Sequence, residues 1–158
     1  MTPPARAPIW AIMSAALYNS TILRLAASIP HHERLEHPAA SVEKRSPICG
    51  SRVTVDVALD GEGRVAAIGQ EVRACALGQA SASLMGAHAI GRDAAELAQA
   101  RDALAAFLAG ERADPGDWPG LEIFEPARDY PARHASIRLA FEAAAEAAEA
   151  AARAGSPA

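Results

Sequence analysis

From Arg52 to Leu59 the chain alternates without a break. Val53, Val55, Val57 and Leu59 fall on one side, and Arg52, Thr54, Asp56 and Ala58 on the other. A period of two is the pattern of a pleated strand with one face buried. Asp60-Gly61-Glu62-Gly63 supplies turn residues, and Arg64 to about Ala74 returns as a second strand, so a β-hairpin is predicted. The Gly61-Glu62-Gly63 stretch reads as a turn and not as a phosphate cradle, because no helix follows it.

Helical patterns surround the hairpin. Ser14 is placed to cap a first helix reaching about Ser28, with Leu17, Tyr18, Thr21, Ile22, Leu25 and Ile29 at helical spacing and Pro30 as its stop. His31 to Pro47 is polar, rich in histidine and punctuated by proline, and reads as an extended surface loop. After Cys75, the small residues of Ala76 to Gly91 suit a helix whose backbone approaches a sheet closely. Asp93 followed three residues later by Glu96 is a capping-box arrangement. It opens a helix that buries Leu97, Leu104, Phe107 and Leu108 and ends at Gly110.

Glu111 to Tyr130 reads mostly as loop, with Asp114 to Trp118 as punctuation and Leu121, Ile123 and Phe124 as an apolar anchor. Pro131 suits the first turn of a final helix to about Arg153, in which Ile137, Leu139, Ala140 and Phe141 pack. From Ala143 onward the Ala/Glu tail reads as a solvated helix, with a partner-binding helix as the alternative, and Glu149 and Arg153 are spaced for an ion pair. A helix, a hairpin or small meander and then three helices favour an α+β fold, a small antiparallel sheet with helices packed on one face. The 158 residues suit one domain, expected over 14–154, with 1–13 as a disordered N-terminal tail and 155–158 as a C-terminal tail.

Composition limits the functions open to such a domain. The net charge is −4 and no basic stripe runs along the sequence, which opposes a sequence-independent grip on nucleic acid. No stretch reaches the ~20 apolar residues of a membrane-spanning helix. Ala7 to Leu17, behind Arg6, has the apolarity of a short signal-peptide core, but Pro8 interrupts it and no A-x-A cleavage site follows. Met13 is an alternative start that would leave Met1–Ile12 as the tail. The two cysteines are far apart and form no C-x-x-C, so a reducing, cytoplasmic setting with free or metal-bound thiols is expected. No Ser–His–Asp order or paired-carboxylate motif points to an enzyme.

Both cysteines stand at structural junctions. Cys49 lies in Pro47-Ile48-Cys49-Gly50, the turn before the first predicted strand, and Cys75 lies between the hairpin and the small-residue helix. A thiol at a helix N-terminus feels the positive end of the dipole, and its pKa can fall from ~8.5 into the ~3.5–7.5 range. The thiolate is the form that binds metal or attacks sulfur; the alternative for either residue is a buried, inert cysteine.

Four segments together resemble the IscU/SufU/NifU-type iron–sulfur cluster assembly scaffold family, the SufU branch most closely. Leu17-Tyr18 through Ile22-Leu23 is similar to its opening helix, and Ser46-Pro47-Ile48-Cys49-Gly50-Ser51 to its N-P-x-C-G-D loop. Cys75 through Ser83 is similar to its G-C-x-I-S-x-A-S-A-S segment, and Tyr130-Pro131-Ala132-Arg133 through Leu139 to the entry of its last helix. The resemblance implies a SufE/NifU-like fold, a metal site and sulfur acceptance, at Cys49, from a cysteine desulfurase, with recipient apoproteins as further partners. Cys49 and Cys75 fall on family ligand positions. Ser51 stands where the family has aspartate, and Ser136 where it has its third cysteine. Ala135 takes the place of the histidine that precedes that cysteine in the IscU branch.

Hydroxyls are poor ligands beside thiolates. His134, His31, His32 and His37 are therefore candidate substitutes, while His88 reads as a packing or surface residue. On a regular helix His134 points about 200° away from Ser136. Arg133 matches the family's P-A-R stretch beside the metal. The cargo or cofactor implied is a [2Fe–2S] cluster, iron or zinc, or none, given the two serines. The alternatives to a scaffold are a metal-free protein-binding module of the same fold and a zinc-dependent sulfur-transfer accessory.

Overall fold

The computed structural model describes residues 17–47 and 50–155, so Ser14 and Cys49 lie outside the described residues. The alternating segment forms a strand, Arg52–Leu59, and its return forms another, Val65–Arg73, paired antiparallel. Val53, Val55 and Val57 are fully buried, as the period of two requires. Asp60 holds the turn between them, its carboxylate accepting from Glu62 N at 2.8 Å and Arg64 N at 3.1 Å.

The sheet has a third strand, inside the polar, proline-punctuated segment whose composition suggests a loop. Ala40–Arg45 pairs antiparallel with Arg52–Leu59 in the order β1 (Ala40–Arg45), β2 (Arg52–Leu59), β3 (Val65–Arg73). Its alternation is concealed because one inward position is Lys44, whose ammonium reaches Glu146 at 3.2 Å. Only Ala40 and Val42 are left to mark the inner face. An inward-pointing charge on an edge strand is also a known defence against edge-to-edge pairing.

Helices pack on the inner face. α1 (Ser20–Ala27) is shorter than its apolar pattern suggested, because Asn19, accepting from Ile22 N at 3.0 Å, caps it inside the predicted span. α2 (Ala76–His88) carries the small residues, and α3 (Ala94–Leu108) begins at the predicted capping box, with Asp93 accepting from Glu96 N at 2.8 Å. α4 (Pro131–Gly155) lies against β1, β2, α2 and α3. This placement corrects the reading of its second half. Ala143, Ala144, Ala145, Ala147 and Ala148 have no exposed surface, so the alanines are core and only a Glu-bearing edge meets solvent. Glu149 accordingly faces Arg101 of α3 at 3.7 Å instead of Arg153.

Two further differences concern connections. α2 meets its neighbours more through α1 and α4 than through the sheet. Ser81 Oγ donates to Ile137 O at 2.5 Å, and a Cβ on Gly86 would lie 2.7 Å from Gln70 Nε2 and 3.1 Å from Pro30 O. Where the composition after α3 suggests mostly loop, the chain forms a 3-10 helix, Leu121–Asp129, with Leu121 and Phe124 buried. Trp118 is an anchor and not punctuation: its indole donates to Leu84 O at 2.9 Å and meets Phe141 edge-on at 5.3 Å. His88 packs edge-on against the same ring at 6.3 Å.

The outer sheet face is crossed by a strap, Pro30 to Pro38, between α1 and β1. Gly69 admits it, since a Cβ there would fall on the Glu33 carbonyl oxygen. The strap is fastened by Asp56, a carboxylate with no exposed surface. Asp56 accepts from Arg34 at 2.7 and 3.0 Å, from Leu35 N at 2.9 Å and from the Ser41 hydroxyl. Burial alone would raise its pKa, but the hydrogen bonds from Arg34, Ser41 and Leu35 N and the Arg34 charge together hold it below the usual carboxylate value.

Candidate functional site

The loop between β1 and β2 is closed at its base by Ser46 N donating to Ser51 O at 2.8 Å, with Gly50 left-handed at φ 72°. Glycine adopts that conformation without steric penalty. Cys49, whose sulfur is outside the described residues, belongs to this loop. Pairing Arg52 with Arg73 brings the end of β3 beside the start of β2. The chain leaving β3 passes Ala74 and reaches Cys75, which occupies the N-cap of α2 with φ −65° and ψ 169°. Its half-buried thiol is free and makes no cap hydrogen bond.

The mouth of α4 closes the site. Ser136 is buried, and its Oγ lies 2.8 Å from the Oγ of buried Ser51. Gly78, one turn into α2, permits the approach of Cys75's helix, since a Cβ there would stand 3.2 Å from Ser136 O and 2.7 Å from the Ala74 Cβ. Ser51, Ser136 and the first turn of α2 thus meet around one point. The sequence named both serines but not their mutual hydrogen bond; Gly78 was the local signal that two backbones converge there.

The rings of His134 and His32 make contacts elsewhere. His134 Nε2 lies 2.8 Å from Ala127 O in the 3-10 segment, the direction its helical phase demands. His32 Nε2 accepts from Val72 N at 3.3 Å, while His31, at φ 56°, offers its carbonyl to Gln70 N at 2.9 Å. His37 and Arg133 are exposed. Among the described residues no group of three or more His, Cys, Asp or Glu side chains could hold a metal ion. Two neutral hydroxyls bonded to each other do not fit a resident zinc, which calls for four strong N, S or carboxylate ligands. Among the described residues no helix is long and apolar enough to cross a membrane.

No family model matches the chain, and no curated protein does. Among solved structures it is similar to the N-terminal part of a nitrogen-fixing NifU-like protein from Brucella abortus, at 40% identity and a TM-score of 0.82, over 89% of this chain and 98% of that one. It also shares the fold of a putative iron–sulfur cluster assembly scaffold protein for the SUF system from Fervidobacterium islandicum, at 22% identity and a TM-score of 0.78, over 85% and 98% of the two chains.

Proposed function

Because this chain belongs to the NifU/SufU/IscU-type family of iron–sulfur cluster assembly scaffolds, we propose that it serves that assembly through Cys49 and Cys75. In this reading the Cys49 thiolate attacks the outer sulfur of a persulfide on a cysteine desulfurase. A new S–S bond forms to Cys49, the donor's S–S bond breaks, and the donor leaves as its thiolate, with no net oxidation. Cys75 supplies a second thiolate to iron or to a nascent [2Fe–2S] cargo. Ser51 and Ser136 supply neither charge nor a strong ligand, so the cargo is held loosely until a histidine, a small thiol or a second subunit completes its shell. Transfer to a recipient apoprotein suits such weak retention.

The observation that supports the reading is the 2.8 Å contact between Ser51 and Ser136. It ties the loop of Cys49 to the mouth of α4, against which the helix of Cys75 already rests. The same contact favours a second reading, a metal-free protein-binding module, because a direct hydrogen bond already joins the two hydroxyls with no ion between them.

Anaerobic reconstitution with ferrous iron, cysteine and a desulfurase separates the two. Assembly predicts bound iron, acid-labile sulfide and visible absorption that Cys75→Ala abolishes. Failure to load or co-purify either iron or zinc leaves the metal-free module. Ser51→Asp with Ser136→Cys should raise metal affinity sharply; unchanged affinity would argue against a shared site.

A further inference from the structure

The strand register builds a basic patch that the linear sequence does not display. Arg45 pairs with Arg52, and Arg52 with Arg73, so one rung of the three-stranded sheet carries three arginines. All three side chains stand on the outer face, as their ion pairs with the outward Glu43 and Glu71 establish. Arg45 and Arg52 both lean on Glu43 at 3.2 Å, and Arg73 on Glu71 at 3.3 Å. Arg34 of the strap shares Glu71 at 3.9 Å. Two glutamates therefore serve four arginines, one of which Asp56 also holds. The outermost pair, Arg45 and Arg73, keep 66% and 68% of their side-chain surface exposed.

Like charges directly opposite on a sheet are destabilising. Three in one rung, within the ~10 Å spanned by three strands, form a feature that the fold itself does not favour. Its position is specific. Arg45 and Arg52 flank the Ser46–Ser51 loop, and Arg73 is two residues from Cys75, so the rung borders the mouth of the candidate site.

We propose that this arginine rung docks an acidic polypeptide segment of a partner protein beside the mouth of the candidate site. The charge excess calls for carboxylates. A span of ~10 Å matches a short acidic run better than a nucleic acid duplex, whose grip needs a longer basic track. That the partner handles sulfur, iron or cluster rests on the assembly reading above; the docking itself does not.

The test uses the full chain and a fluorescein-labelled octaglutamate peptide, followed by anisotropy at low salt. Binding should weaken as salt is added, because it is driven by exposed charges. Arg45→Gln with Arg73→Gln should weaken it about tenfold, and Glu43→Gln with Glu71→Gln, which removes the competing acids, should tighten it about threefold or more. Arg112→Gln, at an arginine paired with Asp114 in the segment after α3, should leave it unchanged. Absence of binding, arginine variants that bind like the parent, or tighter binding of an octathymidylate strand would each overturn the proposal. Chemical reconstitution of the same variants with ferrous iron and sulfide reads the thiols separately. Failed loading with peptide binding intact would count against the assembly reading alone.

Discussion

Replacing Asp56 tests whether the strap is fastened as described. Its two oxygens divide the donors: one takes Arg34 Nε and Leu35 N, the other Arg34 Nη2 and the Ser41 hydroxyl. In Asp56→Asn the amide can keep its oxygen toward Leu35 N and turn its NH2 toward Ser41, whose hydroxyl can accept. The loss is then one Arg34 hydrogen bond and the charge. Because Arg34 is 49% exposed and rehydrates, the cost is discounted to about 1–2 kcal/mol. Asp56→Ala removes every acceptor and leaves a void, costing about 3–4 kcal/mol.

The folded pKa of Asp56 lies below its unfolded value, so its contribution is complete above the unfolded value of ~3.9 and is lost as pH falls through the folded value. Urea unfolding at pH 7 and at strongly acid pH reads both effects, with a slope of ~1–3 kcal/mol/M converting the midpoint to energy. The order wild type, Asn, Ala should hold at pH 7, and the wild-type advantage over Asn should vanish in acid. Equal midpoints at pH 7, or a gap that persists below the folded pKa, would refute the latch.

Other consequences of the fold are as open to measurement. Ala144→Leu, at a position with no exposed surface, should overpack α4 and lower stability by about 1–3 kcal/mol in thermal melts, whereas a solvated tail would tolerate it. Asp93→Ala should cost about 1 kcal/mol by removing the side-chain half of the capping box, with Asp93→Asn close to wild type in the same melts. Gly69→Ala should displace the strap and raise amide exchange at Gln70 and Val72, whose N–H groups bond to His31 and His32; unchanged protection there would contradict the crossing.

Local chemistry made much of this protein readable from its residues. The strand of Val53, Val55 and Val57, its turn at Asp60, the capping box at Asp93 and the entry of the last helix at Pro131 each rest on neighbours within a few positions, and each stands where the pattern put it. The α+β class followed from their order, and the family from four short segments in sequence. Tertiary structure decided the rest, because it depends on what lies opposite. Alanine carries too little hydrophobicity to announce burial, so only the approach of β1, β2 and the other helices makes the second half of α4 a core helix. Lys44 reads as a solvent residue until Glu146 appears across from it. Ser51 and Ser136 are separate departures in the sequence and become one hydrogen-bonded pair when β2 and α4 meet. Arg45, Arg52 and Arg73 are scattered charges until strand register, a long-range property, sets them side by side.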